Sequence, residues 1–201
     1  RMTDTRAEDP AWASSACHAD FNGDALVDIY VANYVDFEFD PKKKRGVPEC
    51  HYKGVPVFCG PGGLKASPDS LFLNLGNWRF RDASVEWGVR ETTTPGFGMG
   101  SLVVDLQRDG WPDVLVANDT NQNFCFVNMG GKRFREAGRF LGLAYNDYGV
   151  AQASMGLASG DARGLGVDDI FVTNYEDDTN TLYLAEGDGF YSDGTFPAQL
   201  G

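Results

Sequence analysis

Three acidic loops, each nine residues long, constrain this chain more than any other feature. They read DFNGDALVD from Asp20, DLQRDGWPD from Asp105 and DARGLGVDD from Asp161. In each, the first Asp is followed eight residues on by a second (Asp28, Asp113, Asp169) and thirteen residues on by an Asn (Asn33, Asn118, Asn174). The residues between second Asp and Asn are DIYVAN, DVLVAN and DIFVTN, apolar and rich in β-branched side chains, as a buried strand requires. A turn-plus-strand unit recurring at fixed internal spacing points to an array or a propeller.

The flanks repeat as well. A further apolar strand follows each unit: SLFLNLG ending at Gly76, NFCFVNMG ending at Gly130 and TLYLAEG ending at Gly187. Then come Phe80-Arg81-Asp82, Phe134-Arg135-Glu136 and, in the third copy, a segment starting at Phe190. Met-Gly precedes two of the loops, at Met99-Gly100 and Met155-Gly156. Asp161 stands 56 residues after Asp105, whereas Asp105 stands 85 after Asp20. The difference places an insertion at about 36–67 in the first repeat.

The repeats therefore span approximately 5–82, 83–136 and 137–193, and Met2-Thr3-Asp4 reads as the tail of an earlier copy. Residues 137–153 have room for one helical turn, but their glycines favour a loop. No long stretch has a period of 3.6. About four short strands per unit suits a propeller blade, and propellers close with roughly four to eight blades. The expected fold is all-β: about three blades of a larger β-propeller, which makes the sequence read as part of a longer chain.

The loops suggest a cation. Calcium takes six to eight oxygens, which a loop can supply from alternate side chains and a backbone carbonyl. In the first loop the candidates are Asp20, Asn22, Asp24, the Leu26 carbonyl and Asp28. In the second they are Asp105, Gln107, Asp109, the Trp111 carbonyl and Asp113. The competing reading is an Asx-rich hairpin without metal. Ala25 stands at the sixth position, where a tight loop favours Gly; if φ is positive there, Ala costs roughly 1–2 kcal/mol. The third loop is degenerate: Arg163 and Leu165 replace oxygen donors, leaving Asp161 and Asp169, with Arg163 expected to bridge the two in place of an ion.

A net charge of −12 argues against a nucleic-acid partner and favours cations or basic surfaces. No apolar run is long enough to span a membrane. The chain has no G-x-S-x-G, H-E-x-x-H or phosphate-loop motif and two His, so a catalytic set is not expected and the chain reads as a non-enzyme.

The loop pattern followed by an apolar strand ending in Asn resembles the FG-GAP (VCBS-type) repeats of integrin α propellers and bacterial secreted proteins. Phe97-Gly98-Met99-Gly100 sits at the place of the FG signature. Cys59-Gly60-Pro61, Leu71–Gly76, Asp105–Asp119, Met155-Gly156 and Thr173–Tyr183 resemble the ASPIC/UnbV-associated, cartilage-acidic-protein-like bacterial group. That resemblance implies a seven-bladed propeller with Ca²⁺ in hairpin loops, exported to the periplasm, cell surface or medium. It implies an interaction or scaffold module binding protein partners. Two other readings stand beside it: a carbohydrate-binding or lyase propeller whose glycan meets Trp78, Trp87, Trp111 or Tyr145, and an integrin-like adhesion module.

The insertion carries what the repeat leaves unexplained, and a larger complex assembled through 36–67 is one expectation. Cys50 and Cys59 flank a Gly- and Pro-containing turn and can pair as a disulfide worth roughly 2–3 kcal/mol, which export would favour. A metal site of Cys50, His51 and Cys59 is the alternative. Lys42–Arg45 is a basic run suited to a solvated loop or to an acidic partner surface. Cys17 aligns with Leu102 and Ala158, and Cys125 with Leu71 and Leu182, so both read as buried free thiols.

Overall fold

The computed structural model describes residues 7–37, 50–57, 59–175, 177–187 and 189–200. Met2-Thr3-Asp4 and the Lys42–Arg45 run lie outside the described residues. The fold is all-β. Three four-stranded antiparallel sheets follow one another along the chain. The first contains β1 (Ala13–Ala19), β2 (Asp28–Asn33), β5 (Ser70–Asn74) and β6 (Phe80–Asp82). The second contains β7 (Gly98–Val104), β8 (Asp113–Asn118), β9 (Phe124–Asn128) and β10 (Phe134–Glu136). The third contains β11 (Ser154–Gly160), β12 (Asp169–Asn174), β13 (Thr181–Gly187) and β14 (Phe190–Asp193). A separate hairpin of β3 (Cys50–Tyr52) and β4 (Val55–Val57) occupies the insertion between β2 and β5. Among the described residues, no helix is long and apolar enough to cross a membrane.

The sheets stack face to face as propeller blades. Strand alternation gives blade 2 two apolar faces. Val114, Val116, Phe124 and Phe126 face blade 1, joining Tyr30, Leu71, Leu73 and Trp87 in one core. Leu115, Cys125 and Val127 face blade 3, joining Ile170, Val172 and Tyr183 in another. First strands lie side by side, with β7 against β1 and β11. Each begins with a bulge, at Ser14, Met99 and Met155, so Met-Gly marks the bulge in two of the three blades. The glycines of the Phe97–Gly100 stretch are there for contact. A Cβ on Gly98 would lie 3.0 Å from Ala32 Cβ in blade 1, and one on Gly100 would lie 2.7 Å from the Met155 carbonyl in blade 3.

The recurrent Asn pairs with the residue before each bulge and closes that same end of the blade. The backbone N–H of Asn33, Asn118 and Asn174 donates to Asp69, Asn123 and Asn180 at 2.8, 3.1 and 3.0 Å. Their side-chain Nδ2 donates to the carbonyls of Pro68, Gln122 and Thr179. Each leaves its Oδ1 buried with no hydrogen-bond partner, a repeated cost of about 1–3 kcal/mol per group.

Asp69 is the exception among the three acceptors, a carboxylate where the sibling blades hold Asn. Tyr30 accounts for it: its hydroxyl donates to Asp69 Oδ2 at 2.7 Å, and Leu115 and Phe171 stand at the matching strand positions. Burial pushes the Asp69 carboxyl up to about 6, two hydrogen bonds hold it down, and Asp9 pushes it further up. Tyr30, Cys17 and Asp9 are the titratable neighbours. Because the folded state binds this proton more tightly than the unfolded chain, the group's cost is complete above pH 6. It is relieved as pH falls towards 4. Asp69→Asn should therefore be more stable than the parent at pH 7.5, by on the order of 1–3 kcal/mol, with the gain fading by pH 4.5. Urea midpoints of both proteins at the two pH values measure it; a pH-independent difference would refute the assignment.

Two expectations about local structure need correction. Gly138–Leu141 forms a short helix, α1, instead of a loop, because Gly142 adopts φ 83° and caps it from Leu143 N–H to the Gly138 carbonyl. The strand at Phe190 is shifted by one residue relative to the sequence alignment. A bulge at Glu186 pairs Ala185 with Tyr191, so Tyr191, not Phe190, occupies the place held by Phe134. A one-residue slip exchanges the faces of a strand, which leaves Phe190 exposed and Tyr191 buried. Cys125 is buried and free, as its strand position requires, whereas Cys17, also free, is only half-buried.

Candidate loop sites and the insertion hairpin

The three acidic loops join the first two strands of each blade and share one backbone course. The fourth and sixth positions are left-handed in all three: Gly23 and Ala25, Arg108 and Gly110, Gly164 and Gly166. The expected strain at Ala25 is there, at φ 65°. Arg108, at φ 58°, is a second strained position that the sequence did not reveal.

The first Asp of each loop folds the turn. Asp20 accepts the N–H groups of Gly23, Asp24 and Ala25 at 2.8, 3.1 and 2.7 Å. Asp105 accepts from Asp109 and Gly110, and Asp161 from Leu165 and Gly166. The fifth residue repeats the device on a smaller scale, Asp24 accepting from Leu26 and Asp109 from Trp111. The last Asp is buried and ties the loop to the third strand of its blade. Asp28 accepts from Phe21 and Asn74, and Asp113 from Leu106 and Asn128.

The third loop is wired differently. The Arg163 guanidinium forks onto Asp169, Nε at 3.2 Å and one terminal nitrogen at 2.8 Å, and also donates to the Ala185 carbonyl. It thus takes the position that a backbone N–H holds in the other two loops. The expected bridge from Arg163 to both carboxylates reaches Asp169 alone, since Asp161 is already held by backbone N–H groups.

The charges differ accordingly. Among the described residues, no Lys or Arg makes an ion pair with Asp20, Asp24, Asp28, Asp105, Asp109 or Asp113. Burial pushes the Asp113 carboxyl up to about 6, and Asp109 and Asp105 add to it. Asp28 is raised by burial first, then by Asp24 and Asp20. Asp161 is lowered by the Gly166 and Leu165 N–H groups.

The proposed ligands are not gathered into a coordination shell: among the described residues, no three Asp, Glu, His or Cys side chains converge on a metal position. The carboxylates turn to backbone N–H groups, and Asn22 Nδ2 to Asp24 Oδ2, instead. The donors fit a hard cation in kind: three carboxylates and an amide per loop, with burial and then the first two carboxylates raising the last. Gln107 is half-buried against Gly189, its Cγ 3.3 Å from where a Cβ would stand.

Cys50 and Cys59 are joined in a disulfide, which removes the Cys50–His51–Cys59 metal alternative. The aromatics named for a sugar cleft scatter. Trp87 is core, Trp111 packs between loops, Trp78 is 92% exposed, and Tyr145 donates its hydroxyl to Gln122. Two clefts of about 310 and 420 Å³ lie at successive blade junctions; Glu91 and Arg133 line the first, Arg139 and Tyr145 the second.

Comparison with known families matches residues 105–172 to the FG-GAP-like repeat. No curated protein matches the chain. The matched segment runs from the second loop past the third and ends within β12, and supports the repeat type.

Proposed function

We propose that this protein is a non-catalytic, exported propeller module of the ASPIC/UnbV-associated kind, stabilised by calcium in its first two loops. It docks a protein partner through the insertion. The observation that carries the docking reading is the disulfide-closed hairpin. An isolated two-stranded hairpin is marginal in water. This one is closed by Cys50–Cys59 and a turn in which Lys53 and Gly54 have positive φ. Val55 and Val57 remain 61% and 42% exposed. The pairing puts Tyr52, Val55 and Val57 on one face. Pro56, without an N–H, blunts the β4 edge and leaves side chains as the means of contact.

Charge indicates the partner's character. Residues 36–67 hold six Lys or Arg and four Asp or Glu, a net +2 within a chain of −12. An apolar tip in a basic setting suits a protein with an acidic rim around an apolar patch. The disulfide supports the export reading. Quantitative affinity purification of the full protein from its source, beside Val55→Asp/Val57→Asp, tests the docking. Loss of a stoichiometric partner from the variant is expected; an unchanged partner set would refute the role of the hairpin.

A further inference from the structure

Among the described residues, the first two loops are joined across the blade boundary by two side chains, and the third has no matching link. Asn128, at the end of β9 in blade 2, donates its side-chain Nδ2 to the Phe21 carbonyl of the first loop at 2.9 Å and to the Pro112 carbonyl of the second at 3.2 Å. Its backbone N–H donates to Asp113, and the Phe21 N–H donates to Asp28. A continuous path therefore runs from Asp28 through Phe21 and Asn128 to Asp113, linking the buried carboxylates of the two loops.

Trp111 makes the second link. Its six-membered ring lies 3.1 Å from the position a Cβ would take on Gly23, in the first loop, and 2.5 Å from that on Gly131, in the turn after β9. Gly23 and Gly131 are thus the surfaces against which the indole is seated. At the next boundary the residue matching Asn128 is Ala185, which has no amide to offer. The two loops that keep their carboxylates are the two joined in this way; the loop neutralised by Arg163 borders the second at a crevice lined by Leu106, Arg108, Val167 and Asp168, but lacks the Asn link.

We propose that Asn128 and Trp111 couple the loops at Asp20–Asp28 and Asp105–Asp113, so that ordering one orders the other. The cation arm of the test rests on the calcium reading above. If both loops bind calcium, occupancy of one raises the affinity of the other by the 5–150-fold typical of coupled sites. Binding and mechanical coupling can be separated.

In chelator, hydrogen exchange of the Gly23, Asp24 and Ala25 amides should quicken at least fivefold in Asn128→Ala and in Trp111→Leu. The Leu165 and Gly166 amides of the third loop should be unchanged, which also reports that the variants remain folded. In calcium, calorimetric titration of Asp20→Asn/Asp24→Asn should show second-loop affinity at least fivefold weaker than in the parent. Asn128→Ala should abolish that difference. Unchanged first-loop exchange in both variants would overturn the coupling. Altered exchange in a protein that binds no calcium would sustain the coupling and sink the calcium reading. Two calcium ions binding independently, with or without Asn128, would sustain the calcium reading and overturn the coupling.

Discussion

Phe134→Ala should destabilise the protein by about 3–5 kcal/mol, the range for removing a fully buried Phe. At 2–4 °C per kcal/mol for a domain of this size, Tm should fall by roughly 6–20 °C. Phe134 is 0% exposed and meets Phe21 and Trp87 of blade 1 edge-on, at 5.3 and 5.4 Å between ring centres. It also lies 6.2 Å from Phe126 of its own blade. Truncation leaves a cavity between two sheets that share this core, and four-stranded faces cannot collapse onto it without shifting the Asn128 and Asp113 hydrogen bonds beside it. The control is Phe190→Ala. By sequence the two residues are equivalent, yet Phe190 is 42% exposed and its main aromatic contact is Phe140. It should change stability by no more than about 1 kcal/mol. Equal losses in the two variants would contradict the register assigned to β14.

That pair also shows which parts of the molecule can be read from residues alone. Asp-to-Asp spacing specifies the first hairpin of each blade because a tight turn and two half-buried strands are local matters. Alternation along DVLVAN then determines which side chains meet the neighbouring blades. The insertion was legible as an excess of length, and its disulfide as two cysteines around a turn. The bulge at Glu186 was not legible, since one extra residue in a strand leaves hydrophobic composition unchanged while reversing the faces beyond it. The left-handed Arg108 was hidden because nothing in its identity announces positive φ. The Asn128 and Trp111 links lie between residues distant in sequence: Asn128 pairs with Phe21, 107 positions away. Arg163 was recognisable as a cationic partner for the loop carboxylates, but its single carboxylate partner was decided by which Asp the backbone had already satisfied.

Calcium should raise Tm by roughly 10–20 °C over the same protein in chelator, with two ions bound per chain. A ligand at a hundredfold excess over Kd that binds only the native state adds about 2.7 kcal/mol per site. Two sites, each counted on its own before any coupling between them, therefore add about 5 kcal/mol, and 2–4 °C per kcal/mol gives the expected shift. The effect is large because each loop carries three carboxylates with which, among the described residues, no Lys or Arg forms an ion pair, and the final one is buried, Asp28 at 0% and Asp113 at 1% exposure. An ion would compensate charge that the fold otherwise holds at a cost. The third loop is the internal control. Its buried Asp169 already faces the Arg163 guanidinium at 2.8 Å, so a cation there would have to displace a covalently tethered one. Elemental analysis of the folded, oxidised protein should return two calcium ions. Arg163→Asn/Leu165→Asp, which restores oxygen donors in the pattern of the first loop, should bring the count to three. No bound calcium and no shift on chelation would identify the loops as metal-free Asx turns held by backbone N–H groups. Three ions in the parent would mean that the fork of Arg163 onto Asp169 does not exclude a metal.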